Sequence, residues 1–172
     1  LRGFRKVGYA SGAMAQMGGF GLYNAFTFQY YVYTVRIDPL ITSIGLFIGL
    51  IVYAITAPIM GVIADNRVPD KFGKRKKFLL IGAPLQMVLL FLLWTPPIPP
   101  SIWTAIYMCS VSALLNFTQA TIVSAYLSML TDQCQTEKNR VETASLQGLF
   151  SILGTFISIL LPIVIQSMLE DP

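Results

Sequence analysis

Long uncharged blocks alternate with short charged segments along this chain. Residues 7–35, 39–64, 78–130 and 143–169 contain no Asp, Glu, Lys or Arg. A helix needs about 20 mainly apolar residues to cross the hydrocarbon core of a bilayer, so every block has membrane length. The third is too long for one crossing. It is divided by "TPPIPPS" at 95–101, where clustered prolines remove backbone donors and end a helix. The pattern predicts five helices, over 7–35, 40–65, 77–94, 101–131 and 142–169. That is an all-α integral membrane protein with a single membrane domain over 1–172.

Composition agrees with this. Hydrophobic residues make up 55% of the chain and charged residues 12%, about half the charged share of an average soluble domain. The charges that remain are sorted. Five crossings place Arg2, Arg5, Lys6, the six basic residues of "ADNRVPDKFGKRKK" (64–77), Lys138 and Arg140 on one side, and only Arg36 on the other. Short loops rich in Lys and Arg stay in the cytoplasm, so the N-terminus is expected there, in a plasma or cytoplasmic membrane. A nucleic-acid site would need base-stacking or base-reading groups beside its cations. The basic loop offers one aromatic, Phe72. Contact with anionic lipid head groups is expected of it instead.

Catalytic chemistry finds no support. The chain lacks histidine, carries no acid within the uncharged blocks, and shows no metal-ligand spacing or nucleophile–base pair. No enzyme activity, metal or cofactor is expected. Cys109 and Cys134 lie 25 residues apart, about 37 Å along a helix, beyond disulfide reach.

Within the helices, spacing picks out faces. Gly45, Gly49, Tyr53, Ala57 and Gly61 recur every four residues, a small-residue seam that lets a neighbouring backbone approach. Helix one carries Gln16, Tyr23, Thr27 and Tyr30 along one stripe. Helix four carries Asn116, Gln119 and Tyr126, and helix five Gln147, Ser151, Thr155 and Ser158. Thr118, Thr121 and Ser124 can bond back to their own backbone. Amides in hydrocarbon are costly unless paired or wet. The stripes therefore either line an aqueous cavity among helices one, four and five or bond helix to helix.

Two segments carry a resemblance. "PIMGVIADNRVPDKFGKRKKFLLIGAP" (58–84) and "YLSMLTDQCQTEKNRVETASLQGLFSILGTFIS" (126–158) resemble the helix-two to helix-three and helix-four to helix-five segments of the glycoside–pentoside–hexuronide:cation symporters. Those are melibiose-permease-like members of the major facilitator superfamily. The resemblance implies a secondary transporter of twelve helices in two bundles, working by alternating access. Five helices would form most of the N-terminal six-helix bundle. The chain is expected to be a fragment lacking helix six and the C-terminal bundle, which with membrane lipids and a small-molecule substrate would be its partners. The resemblance also implies a conformational gating loop at Asp65, Lys71, Gly73, Lys74 and Arg75, with Asp65 paired to a basic group or a helix N-terminus.

The departures are as informative. Where the family places its cation-binding acids in helix two, this chain has Tyr53 and Ala57, with Thr56 between. The family's charged positions in helices one, four and five fall at Met17, at or near Ala120, and near Leu146 or Gln147. Sodium-coupled, melibiose-type transport is therefore not carried over. Candidate substrate-binding residues are Gln16, Tyr23, Tyr30, Asn116, Gln119 and Gln147, a set suited to a small polar, sugar-like solute. The competing expectation is a non-transporting membrane scaffold or assembly subunit derived from such a transporter.

Overall fold

The computed structural model describes residues 3–66, 75–96, 101–133 and 136–170. Every regular element among them is helical: α1 (Gly3–Gln29) running into a turn of π-helix (Tyr30–Thr34), α2 (Pro39–Asn66), α3 (Lys76–Trp94), α4 (Ile102–Gln133) and α5 (Glu137–Glu170). Helix α5 begins five residues before the expected 142. The segment Glu137–Arg140 is its first turn rather than a connection, with the Arg140 amide bonded to the Thr136 carbonyl at 3.0 Å. Glu137 at that start suits the positive end of the helix dipole.

Among the described residues, four helices are long and apolar enough to cross a membrane: Pro39–Asn66, Lys76–Trp94, Ile102–Leu130 and Glu137–Ile165. The expectation of five is met in length but not in apolarity. Six glycines, with Gln16, Asn24 and Gln29, dilute α1. Such a helix gains less from lipid than its neighbours do and depends more on packing.

The chain divides into two compact units, Leu1–Thr27 with Leu130–Pro172, and Phe28–Met129. In the first, α1 and α5 pack through small residues. A Cβ on Gly154 would collide with the Met14 carbonyl oxygen and lie 3.0 Å from Met14 Cα, so glycine is what permits this approach. Lys6 fastens one end of the pair, bonding Asn139 Oδ1 at 2.9 Å and Glu142 Oε2 at 2.5 Å. The outer face of α5, including Leu153, Phe156 and Leu160, is exposed, as a lipid-facing surface is.

In the second unit α4 is the core. Met108, Val111, Ser112, Leu115, Asn116, Gln119 and Ala120 are buried, while Phe47, Ile55 and Val62 of α2 and Leu80, Met87 and Phe91 of α3 face outward. The α2 seam meets α4 as its spacing predicts. A Cβ at Gly49 would come within 2.8 Å of Asn116 Nδ2 and 2.9 Å of Ser112 Oγ, and Gly45 sits against Met108 and Cys109. Farther along, the Ser124 hydroxyl donates to the Ala57 carbonyl at 2.9 Å. Gly61 faces open space and lies beyond the contact. Cys109 is a half-buried free thiol; Cys134 is outside the described residues.

Candidate functional site

In the first unit, α1 presents Gln16, Tyr23 and Thr27 at intervals of seven and four residues, which keeps them on one helix face. Tyr23 and Thr27 are buried, and Tyr23 stacks on Phe20 with ring centroids 5.4 Å apart. The side-chain nitrogen of Gln16 and the hydroxyl of Thr27 are both buried. Neither has a hydrogen-bond partner among the described residues. Such an atom costs about 1–3 kcal/mol unless water or a solute satisfies it. On α5, Gln147 is buried and Ser158 bonds back to the Thr155 carbonyl at 2.7 Å.

The second unit holds the other candidate residues in a different state. Gln119 Oε1 accepts a 2.6 Å bond from Gln86 Nε2 of α3, and Asn116 Nδ2 donates to the Ser112 carbonyl at 2.9 Å. These amides bond across and along helices. Thr118 and Thr121 bond back to Leu114 and Phe117, both at 2.9 Å, whereas Ser124 crosses to α2. Of the three residues expected from the resemblance at the cation-site positions, Thr56 is buried and Tyr53 and Ala57 are half-buried.

At one end of this unit Asp65 pairs with Arg75, whose guanidinium also donates to the Ser128 carbonyl. One buried arginine thereby ties the end of α2, the start of α3 and the end of α4. Lys71, Gly73 and Lys74, expected with Asp65 and Arg75 in a gating loop, lie outside the described residues.

At the opposite end stands a cluster that sequence spacing did not reveal. The hydroxyls of Tyr107, Tyr31 and Tyr30 donate to three successive carbonyls at the end of α3: Leu92 at 2.8 Å, Leu93 at 2.7 Å and Trp94 at 3.0 Å. The last carbonyls of a helix have no partner within it, and here tyrosines supply them. The π-turn brings Tyr30 and Tyr31 to the same helix end, and Tyr30 also packs on Trp94 with ring centroids 4.9 Å apart. Tyr30, a candidate for substrate binding, is engaged in this cap. Gln86 was the other residue missed. It is the one amide in α3, which is apolar after Lys76 and Lys77, and that isolation was the available signal.

A family model described as MFS/sugar transport protein matches residues 8–171. Sodium-dependent lysophosphatidylcholine symporter 1 of Mus musculus is 25% identical over 162 residues, covering 88% of this chain and 30% of the relative. Sodium-dependent lysophosphatidylcholine symporter 1-B of Danio rerio is 27% identical over 157 residues, covering 88% and 30%. Uncharacterized symporter YnaJ of Bacillus subtilis (strain 168) is 26% identical over 149 residues, covering 87% and 32%. This chain thus spans about a third of the length of these curated relatives.

Proposed function

This chain belongs to the MFS/sugar transport protein family, and on that premise we propose that it supplies the N-terminal helices of a secondary carrier. The carrier moves a small solute without net charge by alternating access. The observation that supports this reading is the pair of orphaned polar atoms on α1, Gln16 Nε2 and Thr27 Oγ1. Buried groups are seldom left unpaired in a helix that only packs, and a solute or its water would complete them.

The solute is sugar-like on the first reading, because amides and a tyrosine bond hydroxyl groups without charge. A second reading, a zwitterionic lysophospholipid, is favoured by the names of two relatives. Both solutes are neutral overall, which fits a stripe free of charge. The carrier draws no sodium coupling from this part of it, because Tyr53, Thr56 and Ala57 supply too few oxygens for a hard cation. The N-terminus lies in the cytoplasm, on the side that carries eleven of the twelve basic residues.

Proteoliposome uptake by the full-length protein tests this, using a radiolabelled neutral glycoside and a radiolabelled lysophosphatidylcholine, each with and without a sodium gradient. Gln16→Leu and Thr27→Val are expected to raise KM for the transported solute about tenfold, the loss of one polar contact to each. An unchanged KM in both overturns the site. Uptake that collapses without sodium overturns the uncoupled reading. Failure to move either solute favours the scaffold role.

A further inference from the structure

Where α1 ends, the chain takes a turn that its sequence should resist. The Ile37 amide bonds to the Tyr31 carbonyl at 3.0 Å, and Arg36 between them has φ 63°. This is the left-handed position that ends many helices, and glycine is the residue that occupies it without steric cost. A bulky cation kept there at a cost suggests a use for the cation.

Its surroundings indicate the use. Arg36, Ile37, Asp38, Ile41, Ser101 and Ala105 line, with Ile102, a cavity of about 270 Å³ open to the outside. The membrane crossings of α2 and α4 begin at Pro39 and Ile102, so this cavity sits at the height of the lipid head groups. Tyr33 and Trp103 are exposed nearby, as aromatic residues are at that depth. Two opposite charges, Arg36 and Asp38, share the cavity without forming an ion pair with each other. Asp38 Oδ1 caps α2, accepting from the Leu40 amide at 2.8 Å, and its second oxygen has no partner among the described residues.

We propose that this cavity holds the head group of a zwitterionic phospholipid, with its phosphate on Arg36, its ammonium beside Asp38 and an acyl chain along Ile41 and Ile102. A simple anion would meet Asp38 as well as Arg36, and a cation the reverse, whereas a dipolar head group satisfies both. The two isoleucines are exposed and continue the cavity with apolar surface into the bilayer. Within its own unit the cavity stands apart from Gln119. Along α4, Ala105 and Gln119 are fourteen residues apart, about 21 Å.

The test uses the full-length protein in maltoside detergent, with retained lipid counted by native mass spectrometry and thermal stability measured alongside. Dihexanoyl phosphatidylcholine, dihexanoyl phosphatidylglycerol and inorganic phosphate are titrated separately. Phosphatidylcholine is expected to bind and stabilise the wild type, with inorganic phosphate doing neither. Arg36→Gly is expected to weaken phosphatidylcholine binding about tenfold while raising the melting temperature without lipid, because the left-handed turn is relieved. Asp38→Asn, which keeps the helix cap, is expected to remove the preference for phosphatidylcholine over phosphatidylglycerol. Unaltered phosphatidylcholine binding in Arg36→Gly overturns the proposal, as does stabilisation by inorganic phosphate equal to that by lipid. None of these readouts depends on transport.

Discussion

The hydroxyl of Tyr31 donates a 2.7 Å hydrogen bond to the carbonyl of Leu93, 62 residues farther along the chain. Both residues are wholly buried. With Tyr30 and Tyr107 on the flanking carbonyls, the bond gives the end of α3 the partners that water gives a helix ending in solvent. The next residue, Thr95, closes the helix by bonding its amide to the Leu92 carbonyl at 3.2 Å and its hydroxyl to the Phe91 carbonyl at 2.9 Å. Pro96 follows and has no amide with which to continue the helix.

Tyr31→Phe keeps the ring and removes the donor, leaving the Leu93 carbonyl buried and unpaired. It is expected to cost about 1–2 kcal/mol of stability. Tyr107→Phe should cost less, because Tyr107 is only half-buried and water can replace its hydroxyl. Thermal and denaturant unfolding in detergent would compare them. Equal losses would mean that the cap does not depend on burial.

Gly154→Ala is expected to destabilise the α1–α5 pair by about 1–3 kcal/mol, the usual cost of overpacking, because the added methyl meets the backbone of Met14. Gly148→Ala, six residues earlier on the same helix with nothing within 4 Å, should be neutral or gain up to about 1 kcal/mol from helix propensity. Opposite signs in one unfolding assay would separate close approach from a general intolerance of alanine.

Much of this architecture was legible because the bilayer imposes it. Uncharged blocks of spanning length, the proline break at 95–101 and the four-residue recurrence of Gly45, Gly49 and Ala57 depend on local sequence alone. What stayed hidden depends on pairing between distant segments. Gln86 and Gln119 become partners only once α3 lies against α4, and Tyr31 reaches Leu93 only because a π-turn shifts its direction at the end of α1. Periodicity also missed the start of α5. The charged residues of "EKNR" read as a loop between uncharged blocks, yet they are good helix formers.

The Gln86–Gln119 bond gives a measure of whether Gln119 is structural. In a double-mutant cycle with Gln86→Leu and Gln119→Leu, a coupling energy of about 0.6 kcal/mol is expected, the average for hydrogen bonds between membrane helices. Unfolding in detergent reads the coupling and uptake reads KM. If Gln119→Leu raises KM and Gln86→Leu does not, Gln119 contacts the solute as well as α3. Equal KM effects would make its role one of positioning through the bond.

The Asp65–Arg75 pair makes a prediction about rate. Asp65 is more than half exposed, while Arg75 is buried and also holds the Ser128 carbonyl. An exposed carboxylate contributes little to stability, so Asp65→Asn should leave the melting temperature nearly unchanged. If the pair opens and closes during the transport cycle, the same change slows maximal uptake, by about tenfold for one charge-assisted bond, with solute affinity almost constant. Arg75→Gln should lower stability as well, because a carbonyl at the end of α4 loses its donor. Uptake rates and equilibrium binding measured on both variants distinguish the outcomes. A parallel loss of rate and affinity in Asp65→Asn would make the pair part of the binding site rather than of the switch.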